Sequence, residues 1–114
     1  MSPSDETTDA GGGVRVVLVT APERVARELA RALVGERLAA CVNLVPGVRS
    51  IYRWQGEIEE DEEVLLVAKT QHDRVAALSQ RVRELHPYDL PETLALSAAG
   101  GSAAYLAWVC AEST

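Results

Sequence analysis

Residues 39–70, AACVNLVPGVRSIYRWQGEIEEDEEVLLVAKT, restrict the possible folds more than any other stretch. Residues 41–54 are rich in Val, Ile, Tyr and Trp, the β-branched and aromatic types that suit a pleated surface. Gln55-Gly56 then interrupts the run, glycine being the residue that accepts a positive φ in a short hairpin turn. From Glu57 the chain climbs again and ends in Val64-Leu65-Leu66-Val67-Ala68, an apolar run typical of a strand covered on both faces. A strand of about fourteen residues spans roughly 45 Å, whereas a domain of about 100 residues has a radius of gyration near 13 Å. The hairpin is therefore expected to overhang its own domain. An overhanging ribbon bearing Ile51, Tyr52, Trp54 and Ile58 presents open backbone donors and acceptors that natural proteins blunt or pair. Pairing with other copies of the chain is the expected solution.

The flanking sequence supplies the rest of a small domain. Residues 1–13 are mostly Ser, Thr, Asp, Glu and Gly with almost nothing to bury, and read as a disordered tail before a single domain over 14–114. Residues 14–19 (VRVVLV) predict a buried strand. Thr20 and Glu23 have the spacing of a capping box, with Val25, Leu29 and Leu33 forming an apolar stripe and Gly35 marking the helix end. After the hairpin, Thr70-Gln71-His72-Asp73 predicts a second helix start. Val75, Leu78, Val82 and Leu85 form its face, and Pro87 stops it. Leu94 to Leu96 is a short strand, Gly100-Gly101 a turn, and Ser102 the cap of a last helix. The order β-α-β-β-α-β with a trailing helix predicts an α+β, ferredoxin-like sandwich in which an antiparallel sheet carries two helices on one face.

Composition narrows the function. A chain of 114 residues suits one domain with one core, and a net charge of −6 argues against a nucleic-acid backbone as ligand. The sheet aromatics and basic surface of an RNA-recognition domain are missing, and there is no Phe. No stretch approaches the ~18 apolar residues of a membrane span. The first residues lack the basic and apolar regions of a signal peptide. A reduced, cytoplasmic setting is expected, and Cys41 and Cys110 make no disulfide framework.

The motifs VLVTAP (residues 17–22), residues 36–70, HPYDLPE (residues 86–92) and YLAWV (residues 105–109) together resemble the CutA family, the divalent-cation tolerance proteins. The resemblance runs without a gap over everything after the first thirteen residues. It implies a ferredoxin-like subunit in a tight homotrimer, with long hairpins pairing across subunits, and a role in tolerance of divalent metals such as copper. Members with described copper sites use a Cys before the TAP motif and a His-His pair before PY. Those positions here are Val19, Leu85 and His86, so only His86 is kept as a metal candidate. One imidazole is too few ligands for a tight copper or zinc site. Weak binding of Cu(II) or another divalent cation is what the resemblance still implies. Asp89 stands where Glu is commoner in the family.

Read residue by residue, each candidate has a plain and a sharp role. His86 follows a helix C-terminus, where a capping or packing histidine is as natural as a ligand. Cys41 suits burial as a small hydrophobe, and Tyr52 and Trp54 suit subunit anchoring. Lys69 at a strand end can pair with Glu or neutralise an anion. With Tyr88, Asp89 and Glu92, these four residues form a candidate intersubunit pocket. The carboxylates Glu57, Glu59, Glu60, Asp61, Glu62 and Glu63 read as a solvated, repelling hairpin edge or a weak site for hard cations. No nucleophile–base pair, zinc signature or phosphate loop is visible, so a non-enzymatic homotrimer in metal tolerance is expected. The alternative is a trimeric small-molecule sensor similar to nitrogen-regulatory signalling proteins, with its ligand in intersubunit clefts.

Overall fold

The computed structural model describes residues 13–114 and the backbone of Thr7–Thr8. The elements are β1 (Thr7–Thr8), β2 (Val14–Ala21), α1 (Glu23–Gly35), β3 (Cys41–Trp54), β4 (Glu57–Gln71), α2 (Val75–Leu85), β5 (Leu94–Ser97), β6 (Gly101–Ser102) and α3 (Ala103–Glu112). The four longer strands form one antiparallel sheet in the order β3-β4-β2-β5, the α+β arrangement expected from the element order. The two-residue strands β1 and β6 pair separately. The expected disordered tail otherwise lies outside the described residues. Among the described residues no helix is long and apolar enough to cross a membrane.

The hairpin is long because its turn matches the twist of its strands. Gln55 and Gly56 have φ of +50° and +84°, the two positive values of a type I′ turn. Trp54 pairs with Glu57 across it, and the ladder continues to Cys41 opposite Lys69. The principal extents are 54 × 24 × 21 Å and the Cα radius of gyration is 15.2 Å, larger than the ~13 Å of a compact domain near this size. The ribbon does overhang.

One irregularity decides which side chains share a face. Val45 pairs with Leu65 but Val48 pairs with Glu63, so Pro46 and Gly47 stand opposite Val64 alone. Gly47 takes φ +75°, and the result is a β-bulge. The extra residue inverts the alternation. Tyr52 and Trp54 therefore share a face with Cys41 and Val45, and not with Val42 and Leu44.

The core lies between the sheet and α1 and α2. Val17, Val19 and Ala21 from β2 and Val64, Leu66 and Ala68 from β4 pack with Ala26, Leu29, Leu33, Leu78 and Val82. Val19, at a family ligand position, is fully buried there. A smaller cluster of Val14, Ala40 and Val109 seats α3. The other face of the sheet carries Val16 opposite Leu96 and Leu18 opposite Leu94, with Leu94 and Leu96 exposed at 55% and 48%.

Several helix boundaries differ from the sequence reading. Thr20 does not cap α1: it is held in β2 opposite Leu65, and Pro22 is the N-cap without a side-chain bond. Its carbonyl accepts from the N–H groups of Val25 and Ala26, both at 3.1 Å. Proline suits this place because its missing N–H would have had no helical partner. Gly35 is the last helical residue, but the left-handed residue is Arg37, φ +60°. Its guanidinium donates to the carbonyls of Ala111 and Thr114, both at 2.8 Å, so long-range bonds hold the conformation that glycine would take freely. The start signal at Thr70 is also overridden. β4 continues to Gln71 because Thr70 pairs with Arg15, and the Thr70 hydroxyl donates to the Leu38 carbonyl at 2.7 Å. A 3₁₀ turn over His72–Arg74 precedes α2, at whose end Leu85 lies 38% exposed instead of joining the core. Gly101 lies in β6, not in a turn. Ser102 does cap α3, accepting from the Tyr105 N–H at 3.4 Å.

The turn geometry is testable by chemical denaturation. Gly56→Val forces a β-branched residue into a left-handed position and should cost about 1–2 kcal/mol. Gln55→Asn, which tolerates positive φ better, should be neutral or stabilising.

Candidate functional site

A concavity of about 760 Å³ lies where the hairpin meets the connector from α2 to β5. One wall is residues 50–54 of β3, the other is residues 87–92, and Thr20 and Glu63 form the base. The bulge matters here, because it places Tyr52 and Trp54 on the same hairpin face as Asp61 and Glu63.

His86 holds the connector wall in place. It is 7% exposed, and its Nε2 lies 2.7 Å from the carbonyl oxygen of Thr20. Its Nδ1 accepts the Tyr88 N–H at 3.1 Å, so the ring is assigned as the tautomer in which Nε2–H donates to Thr20. The Tyr88 ring then packs on the imidazole, with centroids 4.6 Å apart and planes inclined at 59°. Both ring nitrogens are thus engaged by backbone. A metal ion at His86 would have to displace one of these bonds. Among the described residues no group of three or more His, Cys, Asp or Glu side chains is placed to hold a metal ion.

The hydroxyls of the cleft are electrostatically marked. Tyr52 donates to the Asp61 carboxylate, and this hydrogen bond, followed by burial and the negative charge of Asp61, pushes its pKa up to about 12. The Tyr88 phenol is also raised, first by burial and then by the charges of Glu63 and Asp61. Glu63 itself is 4% exposed, and its Oε2 is buried without a hydrogen-bond partner among the described residues.

Of the residues singled out from sequence, Tyr52, Trp54, Tyr88, Asp89 and Glu92 line this cleft together. Cys41 and Lys69 do not. They pair with each other at the far end of the β3–β4 ladder. Lys69 Nζ donates to the Asn43 side chain, and Cys41 lies against Tyr105, whose phenol is raised by burial first and by Cys41 second. Glu63 and Asp61 were hidden among the acidic residues of the hairpin. The signal that could have found Glu63 is its place directly before the buried run at Val64, on the strand facing the Pro46-Gly47 interruption.

The sequence profile described as CutA1 divalent ion tolerance protein matches residues 15–112. The chain belongs to the CutA1 family. It is 58% identical over 95 residues to the divalent-cation tolerance protein CutA of Thermus thermophilus, a match covering 82% of this chain and 92% of that protein. It is 54% identical over 99 residues to mouse protein CutA, covering 86% of this chain and 56% of the longer mouse protein. A solved structure described as the PII-like protein CutA from Nostoc superposes with a TM-score of 0.79 at 36% identity, covering 88% of this chain and 97% of that one. CutA relatives are thus named for tolerance of divalent cations and not for a reaction.

His86→Ala should cost about 1–3 kcal/mol in thermal or chemical unfolding, because the Thr20 carbonyl and the Tyr88 N–H lose their partner. Leu85→Ala, at an exposed position, should stay within about 0.5 kcal/mol. The raised Tyr52 phenol predicts a second outcome. Its hydrogen bond to Asp61 is intact below the unfolded value of 10.0 and is lost as pH rises through about 12. Ultraviolet titration of phenolate absorbance should show that late transition, and Asp61→Asn should bring it back toward 10.0.

Proposed function

We propose that the chain acts as a non-enzymatic homotrimer in the cellular response to divalent metal ions of the copper type, in the cytoplasm. The observation that carries the assembly is the state of the sheet edges. β3 is an edge strand fourteen residues long, and β5 is the other edge. Leu94 and Leu96 lie exposed on β5, as do Ile51, Tyr52 and Trp54 on the overhanging ribbon. Long edges with apolar side chains are a hazard unless paired, and hairpin pairing with two further copies would cover them. The family name supports the metal role. The described donor set does not fit a resident copper centre, since His86 is engaged by backbone and no cluster of three donors accompanies it. Ions handled by this protein would be held weakly, or by residues gathered from more than one subunit.

A second reading, a small-molecule sensor, is favoured by the cleft between the hairpin and residues 87–92, which is lined by aromatic rings and carboxylates. The Nostoc relative's description as PII-like points the same way.

Native mass spectrometry of the purified chain, without and then with Cu(II) near neutral pH, tests the proposal. A trimer is expected, taking up copper only weakly. Leu96→Lys, which puts a charge on the exposed face of β5, should shift the population toward monomer. A wild-type monomer would overturn the assembly. Tight stoichiometric copper that disappears in His86→Ala would overturn the reading of His86 as a structural brace.

A further inference from the structure

A groove between α1 and the base of β3 lies apart from the cleft at the hairpin. Its volume is about 580 Å³, within the range of small-molecule sites. The floor is apolar, lined by Val34, Val42 and Leu44, and Val34 and Leu44 are exposed. Its charged groups are the guanidiniums of Arg27 and Arg31, one helical turn apart on α1. Like charges at this spacing repel each other. Among the described residues neither guanidinium makes a hydrogen bond or an ion pair, whereas Arg37, Arg49 and Arg81 each pair with a glutamate. Among the described residues no carboxylate lines the groove, although the chain carries a net charge of −6. Two unpaired cations over an open apolar floor are a built site for an anion with a carbon body.

The two arginines select the anion's chemistry. The fixed fork of donors on each guanidinium matches the oxygens of a phosphate or a carboxylate. Two such cations suit a dianion better than a single negative charge, and a phosphate monoester carries about −1.5 to −2 near pH 7. Repulsion between the acidic chain and an anionic membrane surface favours a soluble ester over a lipid headgroup. We infer that the groove between α1 and β3 binds a small soluble phosphate monoester, its phosphate held by Arg27 and Arg31 and its apolar body lying on Val34, Val42 and Leu44. Assembly through the sheet edges is compatible with this site. Val42 and Leu44 stand opposite Ala68 and Leu66, which face the helical layer, so their side chains leave the plane in which another strand would add to β3. The site is separate from the hairpin cleft and does not depend on a ligand there.

The test is calorimetric titration of the full chain near neutral pH with phenyl phosphate, and with phenol and inorganic phosphate as its apolar and anionic halves. The oligomeric state is followed in parallel by native mass spectrometry. Phenyl phosphate should saturate at one per chain, roughly tenfold or more tighter than either half, and weaken as salt rises. Arg27→Gln and Arg31→Gln should each weaken it about tenfold. Arg24→Gln, on the same helix but outside the groove, should leave it unchanged. Gly35 also lines the groove, and a Cβ added there meets nothing within 4 Å. Gly35→Leu should therefore fold normally, occupy space beside the floor and weaken phenyl phosphate with both arginines in place. Wild-type chain that assembles but binds phenyl phosphate no better than inorganic phosphate would overturn the inference. An equal loss in Arg24→Gln would also overturn it, as general charge attraction. Loss of assembly in Arg31→Gln would show that a neighbouring copy supplies the anion, and binding only to phosphatidate vesicles would show a lipid headgroup. Either result overturns the soluble ligand.

Discussion

The β3–β4 ladder is the constraint on which the rest of the structure depends. It is two strands of fourteen and fifteen residues closed by a two-residue turn. Everything else is placed relative to it. β2 adds to the inner edge of β4 through the run from Val14 opposite Gln71 to Ala21 opposite Val64. β5 adds to β2, and α1 and α2 cover the face that Val64, Leu66 and Ala68 present. The base of β4 is thus a core strand, while its tip belongs to solvent or to another molecule. One strand serves two environments because its sequence changes from charged to apolar at Glu63-Val64.

The bulge at Pro46-Gly47 is what makes the ribbon's tip useful. Proline cannot donate to a ladder and glycine weakens a strand, so this pair in a strand interior marks either a defect or a device. Here it turns Tyr52 and Trp54 to the face of Asp61 and Glu63, opposite the connector that His86 anchors. The cleft exists because two separate local features converge: a register shift in the hairpin, and a histidine that pins the chain just after α2 to the Thr20 carbonyl. Stability and site geometry meet at His86, since one buried ring satisfies two backbone groups and supports Tyr88.

Electrostatics separates the two ends of the hairpin. Along the tip the carboxylates are solvated, and the Arg49–Glu60 pair at 3.4 Å is an exposed contact of the kind that contributes little. At Glu63 the same residue type is buried, and its charge reaches the Tyr88 phenol. The difference is burial alone. A run of acidic letters does not show which of its members the fold will enclose.

The chain's own sequence determined the element order, the long hairpin with its turn at Gln55-Gly56, the core stripes of α1 and α2, the Ser102 cap and the family. These follow from periodicity, turn chemistry and extended motif content, all of which are local. Tertiary structure decided what local signals cannot. Strand pairing with β4 took Thr20 away from its capping role, and pairing with β2 carried β4 through Thr70 to Gln71, because a ladder satisfies whole rows of backbone groups and a cap only one or two. Contacts with the end of α3 put Arg37, and not Gly35, in the left-handed position. The bulge set the phase of Tyr52 and Trp54, and the fold separated Cys41 and Lys69 from the cleft residues grouped with them by sequence. Which side chains share a site depends on register between segments distant in the chain. That register exists only once the sheet is assembled.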